Sequence, residues 1–176
     1  MSGTRPRAGA NSYIQAQRRA KGLHFEQIIE AGCDYYRARD LADIEKTPEP
    51  MKPVENLGHG KFLAVYAKAG QADFKGLLRG GRAINFEAKK TDGDRITAKY
   101  VTDTQARKLE RTNRLGGIAF VLVCFGAIDV FRIPWPVWRD MKQKFGRKYI
   151  LQTELEPFRV RYSGTGALLF LEGLIV

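Results

Sequence analysis

Three residues carry the chemistry this chain offers: Asp73, and then Glu87 and Lys89, which stand two positions apart. From Arg82 to Lys89 the residues Ile84, Phe86 and Ala88 alternate with Asn85, Glu87 and Lys89. That is the period of a strand with one core face, and its other face sets a carboxylate beside an ammonium. By itself, Glu-x-Lys on a strand is ordinarily a solvated ion pair worth under about 1 kcal/mol. Asp73 sharpens the case if the intervening turn has the right length. A two-residue Gly80-Gly81 loop would set Asp73 opposite Ala88, on the core face, whereas a three-residue loop from Arg79 to Gly81 sets it opposite Glu87. The longer loop wants a glycine in a left-handed conformation, and two are available. The three residues working together therefore predict a three-residue loop or a bulge. Two carboxylates about 4 Å apart repel by roughly 4 kcal/mol at an effective dielectric near 20, so either one is protonated or a cation sits between them. Oxygen ligands without a His or Cys cluster point to Mg²⁺, with Mn²⁺ as a substitute, rather than to zinc. Such an ion polarises a phosphate and lowers the pKa of a bound water. Lys89 is then placed to orient that water and to stabilise charge in the transition state.

The charge balance says where a phosphate would come from. Among 176 residues, 30 Lys and Arg face 19 Asp and Glu, a net charge of +11, which suits a polyanion such as nucleic acid. A membrane partner fits less well. The longest apolar stretch, Gly116 to Ile128, is too short to span a bilayer, and the run from Gly166 to Val176 is broken by Glu172. The first residues hold no apolar segment of the kind a secretory signal needs, so the expected location is the cytoplasm. Cys33 and Cys124 are the only cysteines and read as reduced core thiols rather than a disulfide framework or a zinc cluster.

The elements that must position the triplet can be read in outline. Residues 1–22 contain Arg5, Arg7, Arg18, Arg19 and Lys21 and no acid, the composition of a flexible basic arm; residues 23–176 read as a single domain. Phe25, Ile28, Ile29, Cys33 and Tyr36 recur at helical spacing and predict a first helix over about 24–38. Ala42 to Lys46 is a strand candidate, stopped by Thr47-Pro48-Glu49-Pro50. An excursion over 51–70 carries Lys52, Lys61 and Lys68. Strands at about 72–79 and 82–90 follow, then an Asp92-Gly93 turn consistent with another hairpin. Thr102 is placed to cap a helix running to Arg114, which Gly116-Gly117 ends. Ile118 to Phe125 has the length and apolarity of a buried strand, with Val130 to Ile133 as its partner. Pro136 suits the first turn of a helix reaching Lys144. Ser163 or Thr165 suits the cap of a last apolar helix over 166–174. The order argues for a mixed sheet flanked by helices. Trp135 and Trp138 read as core or interface residues.

At these positions the chain resembles the RecU-type Holliday junction resolvases, a branch of the PD-(D/E)xK nuclease superfamily. The resemblance runs through Gly22-Leu23-His24-Phe25-Glu26, Ala42-Asp43-Ile44-Glu45-Lys46, Ala72-Asp73-Phe74-Lys75-Gly76, Ile84-Asn85-Phe86-Glu87-Ala88-Lys89-Lys90-Thr91, Gln105 and Gly116-Gly117-Ile118-Ala119-Phe120. It implies an α/β, restriction-endonuclease-like mixed β-sheet core flanked by helices with a protruding stalk, formed by the excursion at 51–70. It also implies a homodimer that nicks four-way DNA junctions symmetrically with Mg²⁺. Carried over, Asp73 and Glu87 are metal ligands, with the Ala88 carbonyl as a third, and Lys89 is the catalytic lysine. Glu26 is an accessory acid near the metal, and Gln105 is the glutamine at the start of the helix after the core hairpin. Lys46, Lys61, Lys68, Arg18 and Arg19 are the expected DNA contacts. Branch-migration or recombinase proteins are the implied partners, and the compact length suits a phage-borne member. The pattern departs at Thr104, where the resemblance leads one to expect His, and at Glu49, where it favours Thr.

Three functions stay open on the sequence alone. One is a junction resolvase; another is a flap, nicking or restriction-like endonuclease on the same core; the third is a non-catalytic DNA-binding recombination protein. Metal-dependent cleavage separates the last from the others, and substrate shape separates the first two.

Overall fold

The structure, a computed structural model, describes residues 24–48, 51–66 and 72–175. Its centre is a five-stranded sheet in the order β1-β4-β5-β7-β8, built from β1 (Ala42–Lys46), β4 (Phe74–Leu78), β5 (Ala83–Thr91), β7 (Ile118–Phe125) and β8 (Asp129–Pro134). Only β5 and β7 run parallel; the other neighbours are antiparallel. The crossover between the parallel pair passes through β6 (Arg95–Thr97) and helix α2 (Asp103–Arg114). The mixed sheet flanked by helices that the sequence pattern implied is therefore present.

Strand alternation divides the core into two. On one face Phe74, Ile84, Phe86, Phe120 and Leu122 meet Phe25, Ile29, Cys33 and Tyr36 of the first helix, α1 (24–37), whose apolar residues recur at the helical period. On the other face Val121, Val123, Phe131 and Ile133 meet Leu109 of α2 together with Trp135 and Trp138. These last two lie in α3 (Trp135–Arg139), where both are buried. β7 has apolar residues at all eight positions because both its faces are covered. Phe74 stacks on Phe86 and Phe86 on Phe120, with ring centroids 4.9 and 4.6 Å apart. This aromatic ladder ties β4, β5 and β7 together and pins their register.

Gly76 is required by close approach. A Cβ there would lie 2.0 Å from the Asp43 carbonyl oxygen, so no side chain fits without moving β1 off the sheet. Gly76→Ala is expected to cost at least about 2–3 kcal/mol, read as a lower melting temperature by calorimetry; an unchanged melting temperature would show that β1 is free to shift.

The excursion after β1 is a hairpin, β2 (Met51–Gly58) and β3 (Lys61–Tyr66), forming its own two-stranded sheet. All eight positions of β2 are exposed, and the turn uses His59, Gly58 and Gly60 at positive φ. An exposed hairpin therefore occupies the excursion read from the sequence; Lys68 lies outside the described residues, as do residues 1–23.

Three expectations are corrected. The bend at Asp92-Gly93 does not open a hairpin with β5: β6 pairs antiparallel with β9 (Tyr149–Leu151), because the next strand position beside β5 is taken by β7. The helix expected from Pro136 to Lys144 is broken at Asp140 into α3 and α4 (Met141–Phe145). The last helix expected over 166–174 is absent. That stretch is a set of turns with an isolated bridge between Tyr162 and Leu168. Leu168, Phe170 and Leu171 are fully buried against the α1 face, so their apolarity serves a closing lid on the core rather than a helical stripe.

Candidate active site

The hairpin register decides whether the carboxylates meet. Leu78 donates its N–H to the Arg82 carbonyl and Gly81 donates to the Leu78 carbonyl, each at 2.9 Å, which makes Arg79-Gly80-Gly81 a three-residue loop. Gly80 and Gly81 both adopt positive φ, 87° and 83°, as that loop requires. Phe74 then faces Phe86, and the position one step beyond β4, Asp73, falls level with Glu87. This is the three-residue loop predicted from the sequence.

Asp73 is fixed at the root of β4 from two sides. Its carbonyl accepts the Thr47 N–H at 2.8 Å, and its carboxylate Oδ2 accepts the Ala88 N–H at 3.0 Å, with the Lys89 ammonium at 3.5 Å. The N–H and C=O of one strand residue point to the same edge, so the Ala88 carbonyl also opens past the end of β4, toward Asp73.

Glu87 is fully buried and points to the α2 side of the sheet. Its Oε2 accepts from Lys89 at 3.0 Å and from the Gln105 side-chain amide. Its other oxygen, Oε1, is buried with no hydrogen-bond partner among the described residues. Burial pushes the carboxyl up to about 8, Asp73 beside it adds to the rise, and Lys89 offsets only part of it. A buried, unpartnered carboxylate oxygen is costly and asks for an explanation. A cation held between Asp73, Glu87 and the Ala88 carbonyl would supply one: these donors are all oxygen, the kind that hard divalent cations take.

Gln105 reaches Glu87 because its helix begins at the right place. Thr102 caps α2, its Oγ1 accepting the Gln105 N–H at 3.3 Å while the Gln105 Oε1 accepts the Thr102 N–H at 3.0 Å. This reciprocal pair leaves the Gln105 amide nitrogen free to hold Glu87. Farther along, Asn85 donates to Thr112 Oγ1 at 2.8 Å, a second bond from β5 to α2. Thr102, Asn85 and Thr112 were not singled out for the site, although Thr102-x-x-Gln105 is a visible capping-box pattern.

Glu26 pairs with Lys46. It lies on α1 and accepts from Lys46 Nζ at 2.6 Å. Lys46 is opposite Phe74 in register and so projects on the α1 side, at the same end of the sheet but across it from Glu87. Among the described residues no three His, Cys, Asp or Glu side chains gather as a metal cluster. Of the expected DNA contacts, Lys61 is exposed on the hairpin, Lys46 is joined to Glu26, and Arg18, Arg19 and Lys68 lie outside the described residues.

Comparison with known proteins gives a consistent family. Residues 20–174 match the family model described as recombination protein U, RecU. The Holliday junction resolvase RecU of Streptococcus gordonii is 32% identical over 125 residues, covering 66% of this chain and 61% of that protein. This chain thus spans about three fifths of that relative's length. The Holliday junction resolvase RecU of Limosilactobacillus reuteri is 28% identical over 167 residues, covering 88% of this chain and 81% of that protein. Among solved structures, a Holliday junction resolvase from Archaeoglobus fulgidus superposes with a TM-score of 0.46 and 13% identity, covering 78% of this chain and 93% of that one.

Proposed function

The chain belongs to the recombination protein U family, and from that premise we propose that it is a Holliday junction resolvase: a metal-dependent endonuclease that makes paired, symmetric nicks in four-way DNA junctions. The observation that carries the catalytic part is the buried, unpartnered Oε1 of Glu87 beside Asp73.

Asp73, Glu87 and the Ala88 carbonyl would hold the cation, Mg²⁺ or Mn²⁺. A bound divalent ion supplies polarisation of the scissile phosphate and an activated water. Lys89, only 15% exposed in its side chain, is held against both carboxylates and presents one ammonium to the charge that builds on the phosphate. Gln105 engages Oε2 of Glu87 and so keeps Oε1 turned to the ligand position. Glu26 and Lys46 form a charged pair at the same sheet end, from which Lys46 supports a DNA phosphate and Glu26 sets its position. Two copies of the chain would give the two sites that paired nicking needs. The hairpin over 51–66, exposed and carrying Lys52 and Lys61, is the element suited to the junction centre. No described helix is long and apolar enough to cross a membrane, and the substrate is cytoplasmic DNA.

The test is cleavage of a mobile synthetic four-way junction beside a linear duplex of the same sequence, in Mg²⁺ and in EDTA. Paired nicks in the junction alone, lost in EDTA, are expected. Equal cutting of both substrates would replace the resolvase with a general endonuclease, and no cutting in Mg²⁺ or Mn²⁺ would leave a DNA-binding protein.

A further inference from the structure

Helix α2 has a second face that the proposed site does not use. Gln105, Leu109 and Thr112 turn inward, toward Glu87 and the core. Arg107, Arg111 and Arg114 lie on the opposite side, all exposed, at the spacing that aligns residues along one helix stripe. Among the described residues no carboxylate lies within ion-pair distance of these three. Acids stand four residues before two of them, Asp103 before Arg107 and Glu110 before Arg114, and the Arg114 charge helps lower the Glu110 pKa, but neither acid closes an ion pair with the stripe. The nearby acids are committed elsewhere. Glu110 accepts from the Trp135 indole at 2.7 Å and from Arg139 at 3.2 Å, and Asp140 takes Arg139 through two hydrogen bonds of 2.8 Å. An open groove of about 660 Å³ runs between α2 and α3, with Arg107, Arg111 and Arg114 on its rim.

We propose that this arginine stripe is a backbone track for a duplex arm of the substrate, seating consecutive phosphates of the strand that leads away from the cleavage site. The proposal rests on the nuclease reading above and adds a surface to it. The stripe runs seven steps along the helix, about 10.5 Å at 1.5 Å per residue, close to three steps of roughly 3.4 Å of rise between successive phosphates of one strand. The helix gives the track its register. Its first turn is bonded to Glu87 through Gln105, so a duplex lying along the stripe is held at a fixed offset from the carboxylates. Such contacts position without reading sequence, and arginine suits them because its fork meets phosphate oxygens in pairs.

The experiment measures binding in EDTA, so that cleavage plays no part. A fluorescein-labelled four-way junction and a linear duplex are titrated with wild type and with Arg107→Gln/Arg111→Gln/Arg114→Gln across a salt series. A charge-matched control, Lys142→Gln/Lys144→Gln/Lys148→Gln, neutralises three other exposed cations. Each lost phosphate contact lowers the slope of log affinity against log salt by about 0.9. The arginine variant is therefore expected to lose about 2–3 of slope on both substrates and at least about tenfold in affinity, with the control near wild type. An unchanged slope, or an equal loss in the control, would overturn the track. So would an unchanged slope accompanied by lost binding of a labelled octaglutamate peptide, which would assign the groove to an acidic protein segment. Failure of wild type itself to bind either DNA would strike the nuclease reading instead, and the two failures are thereby distinguished.

Discussion

Asp73→Ala and Glu87→Ala are each expected to lower Mg²⁺-dependent junction cleavage by at least about 10³-fold while leaving junction binding in EDTA largely intact. A divalent ion contributes several kcal/mol to stabilising transition-state charge, and each 1.4 kcal/mol is about tenfold in rate. Removing either carboxylate leaves a single acidic side chain, which does not hold a weakly bound, strongly hydrated cation in place. Binding survives because most of the attraction comes from basic groups elsewhere on a chain of net charge +11. Glu87→Ala has a further effect, since Lys89 and Gln105 lose the oxygen they share. Single-turnover cleavage of a labelled junction measures the loss, and rates within tenfold of wild type for both variants would remove these residues from the site.

The second large effect is on stability, and it has the opposite sign to the loss of activity. Glu87 is raised from an ordinary 4.5 to about 8 by burial and by Asp73. Below about pH 4.5 the folded and unfolded chains both keep its proton, and the group contributes no pH dependence. Between about 4.5 and 8 the unfolded chain releases the proton while the folded one retains it, so folding weakens steadily as pH rises. At about 1.4 kcal/mol per pH unit, the ceiling on that loss is roughly 4–5 kcal/mol by pH 8. Glu87→Gln keeps the shape, lets one amide oxygen accept from Lys89 and Gln105, and turns its amide nitrogen toward Asp73. Metal-free and at pH 8, it is expected to be more stable than wild type by about 2 kcal/mol, a rise of about 4–8 °C at 2–4 °C per kcal/mol. The gain should vanish near pH 4.5, and saturating Mg²⁺ should restore wild type while leaving the variant nearly unmoved. A melting-temperature difference that is the same at pH 5 and pH 8 would contradict the assignment. The expected gain, confined to high pH, marks the buried carboxyl as a group that gives up stability in order to bind its cation, a trade that functional sites commonly make.

Much of this geometry was legible before any coordinates because its causes are local. The alternation over Ile84 to Lys89 marks the strand, two consecutive glycines permit the three-residue loop, and that loop leaves one register in which Asp73 meets Glu87. Thr102 announces the start of α2, and eight consecutive apolar residues announce a strand covered on both faces. The misreadings have a common origin in contacts distant along the chain. The apolar run after Gly166 looks like a helix, but its burial is set by Tyr36 and Phe86: the Tyr36 hydroxyl accepts the Leu171 N–H at 2.9 Å, and Phe170 lies against both rings. The Asp92-Gly93 turn looks like a hairpin because its residues do not reveal that β7 already lies beside β5. The contact of Gln105 with Glu87 depends on α2 crossing the sheet at one place, which spacing along the chain does not encode. Glu26 is marked in the sequence only by the resemblance, and its bond to Lys46 depends on how α1 lies over the end of β1.

The hydrogen bond from Thr47 to Asp73 joins the two roots of the segment from which the hairpin rises. With those roots clamped, residues added to or deleted from the hairpin have no route by which to slide β4 against β5. The length of the stalk and the alignment of the carboxylates are thus separately heritable. Insertion and deletion can change the hairpin while the carboxylates keep their alignment, and because the clamp joins a backbone N–H to a backbone carbonyl, proline at position 47 is the substitution that removes it.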